Sequence, residues 1–191
     1  MDIINLIKKN RSFRRFRQAE RISYDKLETY IDLARHSASG ANRQPLKYLV
    51  FNEEEDCNRV FPYTRWAGYM KDWDGPKEGE RPAAYIIILG DTDIAINYFV
   101  DHGIAAQSIL LGATADGNGG CMIGSIDRKG LSATLNLPDR YEILLIVALG
   151  KPAEEVVIEP IRDNDYKYWR DDCGVHHVPK RSLEELIIKL D

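Results

Sequence analysis

Apolar residues recur along the chain in two rhythms, and the change from one to the other marks out the elements. Ser23 followed by Leu27, Tyr30, Ile31 and Ala34 puts a cap ahead of a stripe at helical spacing, which predicts an amphipathic helix ending near the SASGA run. Residues 47–51 (KYLVF), 84–89 (AYIIIL), 121–124 (CMIG) and 143–149 (ILLIVAL) are short, apolar and rich in β-formers, and they read as strands. The runs 83–89 and 143–149 are apolar for seven residues each, which predicts central strands buried on both faces.

A helix is predicted over about 97–115, because 103–115 has only Gln107, Ser108 and Thr114 as polar side chains. A helix apolar nearly all round needs cover on every side. A domain of this size leaves part of it bare unless a second subunit packs there, so a homodimer is expected. Ser182 and Glu185 form a capping box ahead of Leu186, Ile187 and Leu190 and mark a last helix. Helices and strands mix without strict alternation, so the fold class is α+β, a layered sandwich. Between the first two strands, residues 62–82 form a long irregular stretch with Trp66, Tyr69, Met70 and Trp73 beside GPKEGERP. Such a stretch is either a lid or binding loop, or a satellite apolar cluster.

Length adds that 1–191 is a single domain, and 44% hydrophobic with 29% charged residues excludes collagenous and disordered classes. The balance of 26 basic against 30 acidic residues, net −4, has the wrong sign for wrapping nucleic acid, so any basic cluster is local. Cys57, Cys121 and Cys173 are far apart and odd in number, which leaves no disulfide framework or CxxC site and fits a reducing cytoplasm. The N-terminal MDIINLIKKNRSFRRF lacks the apolar run of a secretory signal, and the longest apolar runs fall far short of the roughly 20 residues of a membrane span.

Three segments offer chemistry. KKNRSFRRFR at 8–17 has six cations and no acid: a solvated face, a nucleic-acid or localisation patch, or a phosphate site in which Ser12 sits between Arg11 and Arg14. Pro179, Lys180 and Arg181 precede the capping Ser182, where free N–H groups and two cations suit an anion. Two such clusters suggest one small phosphorylated ligand held from both sides, or two unrelated patches. SASGANRQP at 37–45 supplies Ser39, Asn42 and Gln44, whose groups both donate and accept and suit the edge of a heterocycle, although these are also ordinary loop residues. GNGGCM at 117–122 leads into a strand and lacks the last glycine of a dinucleotide fingerprint, and neither a P-loop nor a GxSxG elbow occurs. His36, His102, His176 and His177 lack metal-ligand spacing with any cysteine, so no metal site is expected.

Taken in order, RSFRRF, SASGANRQP, GIAAQSILLGATADGNGGCMIGSID, LIVALGKP and VPKR resemble the nitroreductase family of FMN-dependent oxidoreductases over nearly the whole chain, and WAGYMKDWDGPKEGERP resembles a subgroup of short members. The resemblance implies an intertwined α+β homodimer, with a mostly antiparallel sheet flanked by helices and FMN at the subunit interface. It implies that the tail from about 152 extends over the partner. Arg11, Ser12 and Arg14 match the phosphate-binding RRSxR pattern, and Lys180 and Arg181 match its C-terminal phosphate cations. Ser39, Asn42 and Gln44 match the segment lining the flavin, largely from the neighbouring subunit, and Ile123 and Gly124 match backbone passing its reactive ring. Asn10, Ala38 and Leu46 depart from the family's arginine, proline and tryptophan. The implied activity is ping-pong electron transfer from NAD(P)H through FMN to a small organic acceptor such as a nitroaromatic or quinone, with Trp66, Tyr69 or Trp73 walling the acceptor pocket. The flavin carries the electrons, so no nucleophile is expected. A non-catalytic FMN-storing or regulatory dimer and a flavin-dependent dehalogenase or flavin-modifying relative are the alternatives.

Overall fold

The computed structural model describes residues 2–190. Four strands, β1 (Leu46–Phe51), β2 (Ala84–Asp91), β3 (Gly119–Ile123) and β4 (Tyr141–Gly150), form an antiparallel sheet in the order β1-β2-β4-β3. The two unbroken apolar runs therefore occupy the centre, and every residue of β2 is buried. Alternate side chains leave β2 on opposite faces. Ile86 and Ile88 join Leu27, Tyr30, Ile109 and Leu149 under α2 (Tyr24–Arg35) and α4 (Asp101–Ala115). Tyr85 and Ile87 join Phe16, Val60, Trp66 and Leu131 on the other face, where α3 (Glu54–Val60) and α5 (Arg128–Leu135) lie.

Helix α4 buries Ala105, Ala106, Ile109, Leu110 and Ala113, while Ile104 stays 39% exposed. It approaches α2 closely because Gly112 has no side chain: a Cβ there would stand 2.6 Å from Leu33 Cδ1. The N-terminal α1 (Ile3–Lys9) rests against α4 and leaves Ile3, Ile4 and Ile7 exposed.

Strand positions in the sheet follow the hydrophobic pattern to within a few residues. Ser23 stands in extended backbone ahead of α2, but its side chain makes no capping bond, and Leu27 N–H bonds its carbonyl instead. The short α3 was hidden in the sequence because its first turn is Glu54, Glu55 and Asp56, which complement the helix N-terminus but blank out any apolar stripe. After Pro152 the chain builds a second sheet, order β5-β7-β6, from β5 (Val156–Pro160), β6 (Trp169–Arg170) and β7 (His176–Lys180), with β5 and β7 parallel. Nothing in that stretch alternates for long enough to announce strands. Both capping-box bonds of Ser182 and Glu185 form, yet α6 (Leu183–Leu186) lasts only four residues.

Candidate functional site

After α1 the chain runs extended along the free side of β3. Ser12 bridges Gly120, Phe13 N–H donates to the Gly120 carbonyl at 3.0 Å, and Arg17 N–H donates to Lys151 at 2.8 Å. Gly119 permits the approach, since a Cβ there would lie 2.5 Å from Phe13, while one on Gly120 would lie 2.2 Å from the Ala148 carbonyl oxygen on β4. The RSFR segment is thus fixed beside the strand that carries Ile123.

Arg11, Lys8, Lys9 and Lys151 line one open groove of about 710 Å³ together with Glu154 and Glu155, none of the four cations is in an ion pair among the described residues, and Ser12 and Arg14 fall outside that lining. Arg11 donates to the Ile7 carbonyl at 2.9 Å, its Nε is buried without a partner, and burial lowers its pKa. Ser12 is exposed. Arg14 turns toward the tail: its guanidinium lies 4.7 Å from the Tyr168 ring centroid and 3.1 Å from His176 Nε2. Glu154, 1% exposed at its side chain, accepts from the backbone N–H of Arg14 at 2.5 Å and Arg15 at 3.0 Å, and from Arg170 at 2.6 Å. Arg15 pairs in turn with Glu80.

Lys180 ends β7 opposite Pro160, and Arg181 is held by Asn164 at 2.6 Å and Glu185 at 3.3 Å. His176, which touches Arg14, opens the same strand four residues earlier, a separation of about 13 Å in extended chain. Within one chain the N-terminal cluster therefore touches only the start of β7, through Arg14 and His176, while Lys180 stands at the strand's other end.

Between α2 and β1, Ser39 donates to Asp101 at 2.6 Å and accepts from Gln44 N–H at 2.9 Å, while Gly40 N–H donates to the same carboxylate at 3.0 Å. Ala41, Asn42 and Gln44 all take left-handed φ (51°, 54° and 53°), backbone that costs energy in residues with a Cβ. Asn42 and Gln44 are exposed, and Ser39 and Gln44 line a cleft of about 300 Å³ with Tyr48 and Asp101. Burial, with the Asp101 charge adding to it, pushes the Tyr48 phenol up to about 12.

Ile123 is buried at the end of β3, and Gly124 is exposed beyond it, the nearest atom to a Cβ there being Leu145 Cδ1 at 4.0 Å. The irregular stretch meets this exit, since Thr64 bridges Ile126 and Arg65 N–H donates to Ser125 at 3.0 Å. Its aromatic residues divide. Trp66 is core, bonded through Nε1 to Thr64 at 2.9 Å and packed on Gly75, where a Cβ would come within 2.8 Å. Trp73 lies under the Arg170 guanidinium at 4.8 Å. Tyr69 is 48% exposed and meets Tyr166 and Tyr168 edge-on, centroids 6.0 and 5.1 Å away. Among the described residues no group of three or more His, Cys, Asp or Glu side chains could hold a metal ion, and no helix is long and apolar enough to cross a membrane.

Sequence reasoning missed Glu154, Tyr168, Arg170 and His176. Tyr168 and Arg170 lie in DYKYWRDD, a mixture of charge and aromatics with no period, and Glu154 and His176 lie outside it with no local signal of their own.

Comparison with known proteins puts this geometry in context. The model of the family described as "Nitroreductase family" matches residues 7–151. The Bacillus subtilis (strain 168) protein named "Putative NAD(P)H nitroreductase YdgI" is 22% identical over 188 residues, covering 81% of this chain and 90% of its own. A nitroreductase family protein of Clostridium novyi NT superposes with a TM-score of 0.66 at 22% identity, over 97% of this chain and 99% of that one. An Exiguobacterium sibiricum 255-15 protein described as a "putative nitroreductase in complex with FMN" gives 0.65 at 18% identity, over 80% of this chain and 89% of that one.

Proposed function

We propose that this chain, which belongs to the nitroreductase family, is an FMN-dependent oxidoreductase that passes electrons from NAD(P)H to a small organic acceptor by a ping-pong route through one shared site. The observation that carries this reading is the phosphate-type segment laid along β3: Arg11, with an unpartnered buried Nε, shares one groove with three lysines, and Ser12 next to it in the chain is exposed. These cations are in no ion pair among the described residues, so their N–H donors are open to a phosphate through charge-assisted hydrogen bonds. The residues therefore fit the phosphate of FMN, the group bound by the Exiguobacterium relative.

When bound, FMN supplies the two-electron chemistry, and the protein's part is binding, orientation and electrostatics. In this reading Arg11, Ser12 and Arg14 hold the phosphate, with Lys180 and Arg181 approaching from the tail. Ser39, Asn42 and Gln44 line the flavin, largely from the partner subunit, and the backbone at Ile123 and Gly124 passes its reactive ring. The 4.0 Å of room at Gly124 supports that close approach. Tyr69 presents the exposed ring of the acceptor pocket, backed by Trp66 and Trp73. Residues 1–191 act as one domain in a cytoplasmic homodimer. The exposed Ile3, Ile4 and Ile7 on α1 and the exposed Leu186, Ile187, Ile188 and Leu190 support it, since apolar groups in such numbers call for a partner surface. Ala153, Glu154 and His176 bond back to the chain's own N-terminal segment, while the apolar side chains after β7 are exposed and available to the partner.

The test is direct. The purified protein is expected to be yellow, to release FMN on denaturation, to bleach with NADH or NADPH under anaerobic conditions, and to recolour when a quinone or nitroaromatic is added. A colourless protein that takes up no FMN refutes the reading, and a yellow one that neither nucleotide bleaches replaces it with an FMN-storing dimer.

A further inference from the structure

Three neighbouring arginines are held in different ways. Arg15 is paired with the Glu80 carboxylate and Arg170 with Glu154. Arg14 has no carboxylate on its guanidinium among the described residues; it has the His176 ring nitrogen at 3.1 Å, the Tyr168 face at 4.7 Å and a long 3.4 Å contact to the Ser12 carbonyl. A guanidinium only donates, so His176 Nε2 accepts and the imidazole is neutral with its proton on Nδ1. Its environment enforces this: His176 is fully buried, and burial together with Arg14 and Arg170 pushes its pKa down to about 4. A neutral acceptor and an aromatic face fix the half-buried guanidinium without cancelling its charge, whereas the neighbouring Arg15 and Arg170 are each paired with an acid. Nε and the second amino group of Arg14 remain unbonded among the described residues, the edge suited to a phosphate.

We propose that His176 is a positioning residue, a neutral clamp by which the tail aims Arg14 at the phosphate of the flavin while leaving its charge free. This rests on the FMN reading above. It also gives the tail a task inside its own subunit, since Glu154 fixes the Arg14 backbone and Tyr168 and His176 fix its head.

The experiment titrates the full-length chain, stripped of flavin, with FMN and with riboflavin, which lacks the phosphate, and follows flavin fluorescence. His176→Leu removes the acceptor and should weaken FMN about tenfold, the scale of one hydrogen bond to a charged group, with riboflavin changed by less than about twofold. His176→Gln, which restores a neutral carbonyl acceptor, should recover most of the loss. Tyr168→Leu, at a half-buried position, should weaken FMN selectively by about threefold and serves if His176→Leu does not fold. Parallel losses for both ligands, an unchanged FMN affinity, or no recovery by glutamine overturns the proposal while FMN binding by the wild type keeps the functional reading. A wild type that binds no flavin removes both.

Discussion

Replacing Glu154 by alanine should be the most damaging single change in the tail, and its size can be worked from the structure. The carboxylate is 1% exposed and accepts three bonds, from two backbone N–H groups and from Arg170, itself only 12% exposed at its side chain. Removing one partner of a buried pair costs about 3–5 kcal/mol, because the other charge stays behind without its counterion. Two amide donors at Arg14 and Arg15 lose their acceptor as well, each worth about 1 kcal/mol or more where water cannot reach it. Water can enter partway along this edge, so the expected total is about 4 kcal/mol rather than the full sum. For a chain of this size a urea slope of about 2–3 kcal/mol/M turns that into a midpoint lowered by about 1.5 M.

The measurement is equilibrium urea unfolding at fixed protein concentration, with Glu154→Gln alongside. Glutamine keeps one acceptor and the side-chain volume while losing the charge, so it should fall between wild type and alanine. Limited proteolysis should cut residues 161–168 faster in the alanine variant, because Glu154 joins the tail to the N-terminal segment. A loss under about 1 kcal/mol for Glu154→Ala would refute the reasoning, since a buried three-bond acceptor cannot be removed so cheaply.

His177 sits between Glu159 at 2.5 Å and Asp171 at 3.2 Å and stacks on Trp169 at 4.0 Å. The bond to Glu159 first, then that to Asp171, raises its pKa above the usual 6.5; a raised folded pKa stabilises below the unfolded value, and the gain is lost as pH rises through the folded one. The stability advantage of wild type over His177→Gln in thermal melts should therefore be full at pH 6 and shrink toward pH 8; a constant difference would show that His177 acts by packing alone. At the other end, Ile187→Glu with Ile188→Glu places charge on side chains 60% and 82% exposed in one chain. If that surface is the dimer contact, sedimentation should show dissociation raised at least about tenfold, the scale of one large aliphatic group no longer buried. An unaltered dimer would move the contact elsewhere.

Some of this architecture was legible because one chemical pattern determined it. Val147 and Ile86 could occupy only the middle of a sheet, since runs apolar at every position must be covered on both faces. The capping box at Ser182 likewise formed as written, being local in both geometry and energy. Where acids crowded a first turn, as at Glu54, or where Trp66 could belong either to a lid or to the core, the pattern was silent or ambiguous, and tertiary packing decided.

The site divides along the same line. Arg11, Ser12 and Arg14 could be picked out because cations around a hydroxyl are a compact signal, but what holds Arg14 lies 140 residues away at Glu154 and 162 away at His176. No period or spacing connects such partners, and a histidine beside a second histidine carries no hint of which one is buried. The contrast between them is made by the fold alone: β7 turns alternate side chains to opposite faces, sending His176 inward to Arg14 and His177 outward between Glu159 and Asp171. One ring is thereby kept neutral as an acceptor and its neighbour is drawn toward the charged form, so a one-residue slip of β7 would exchange the two roles and remove the clamp on Arg14.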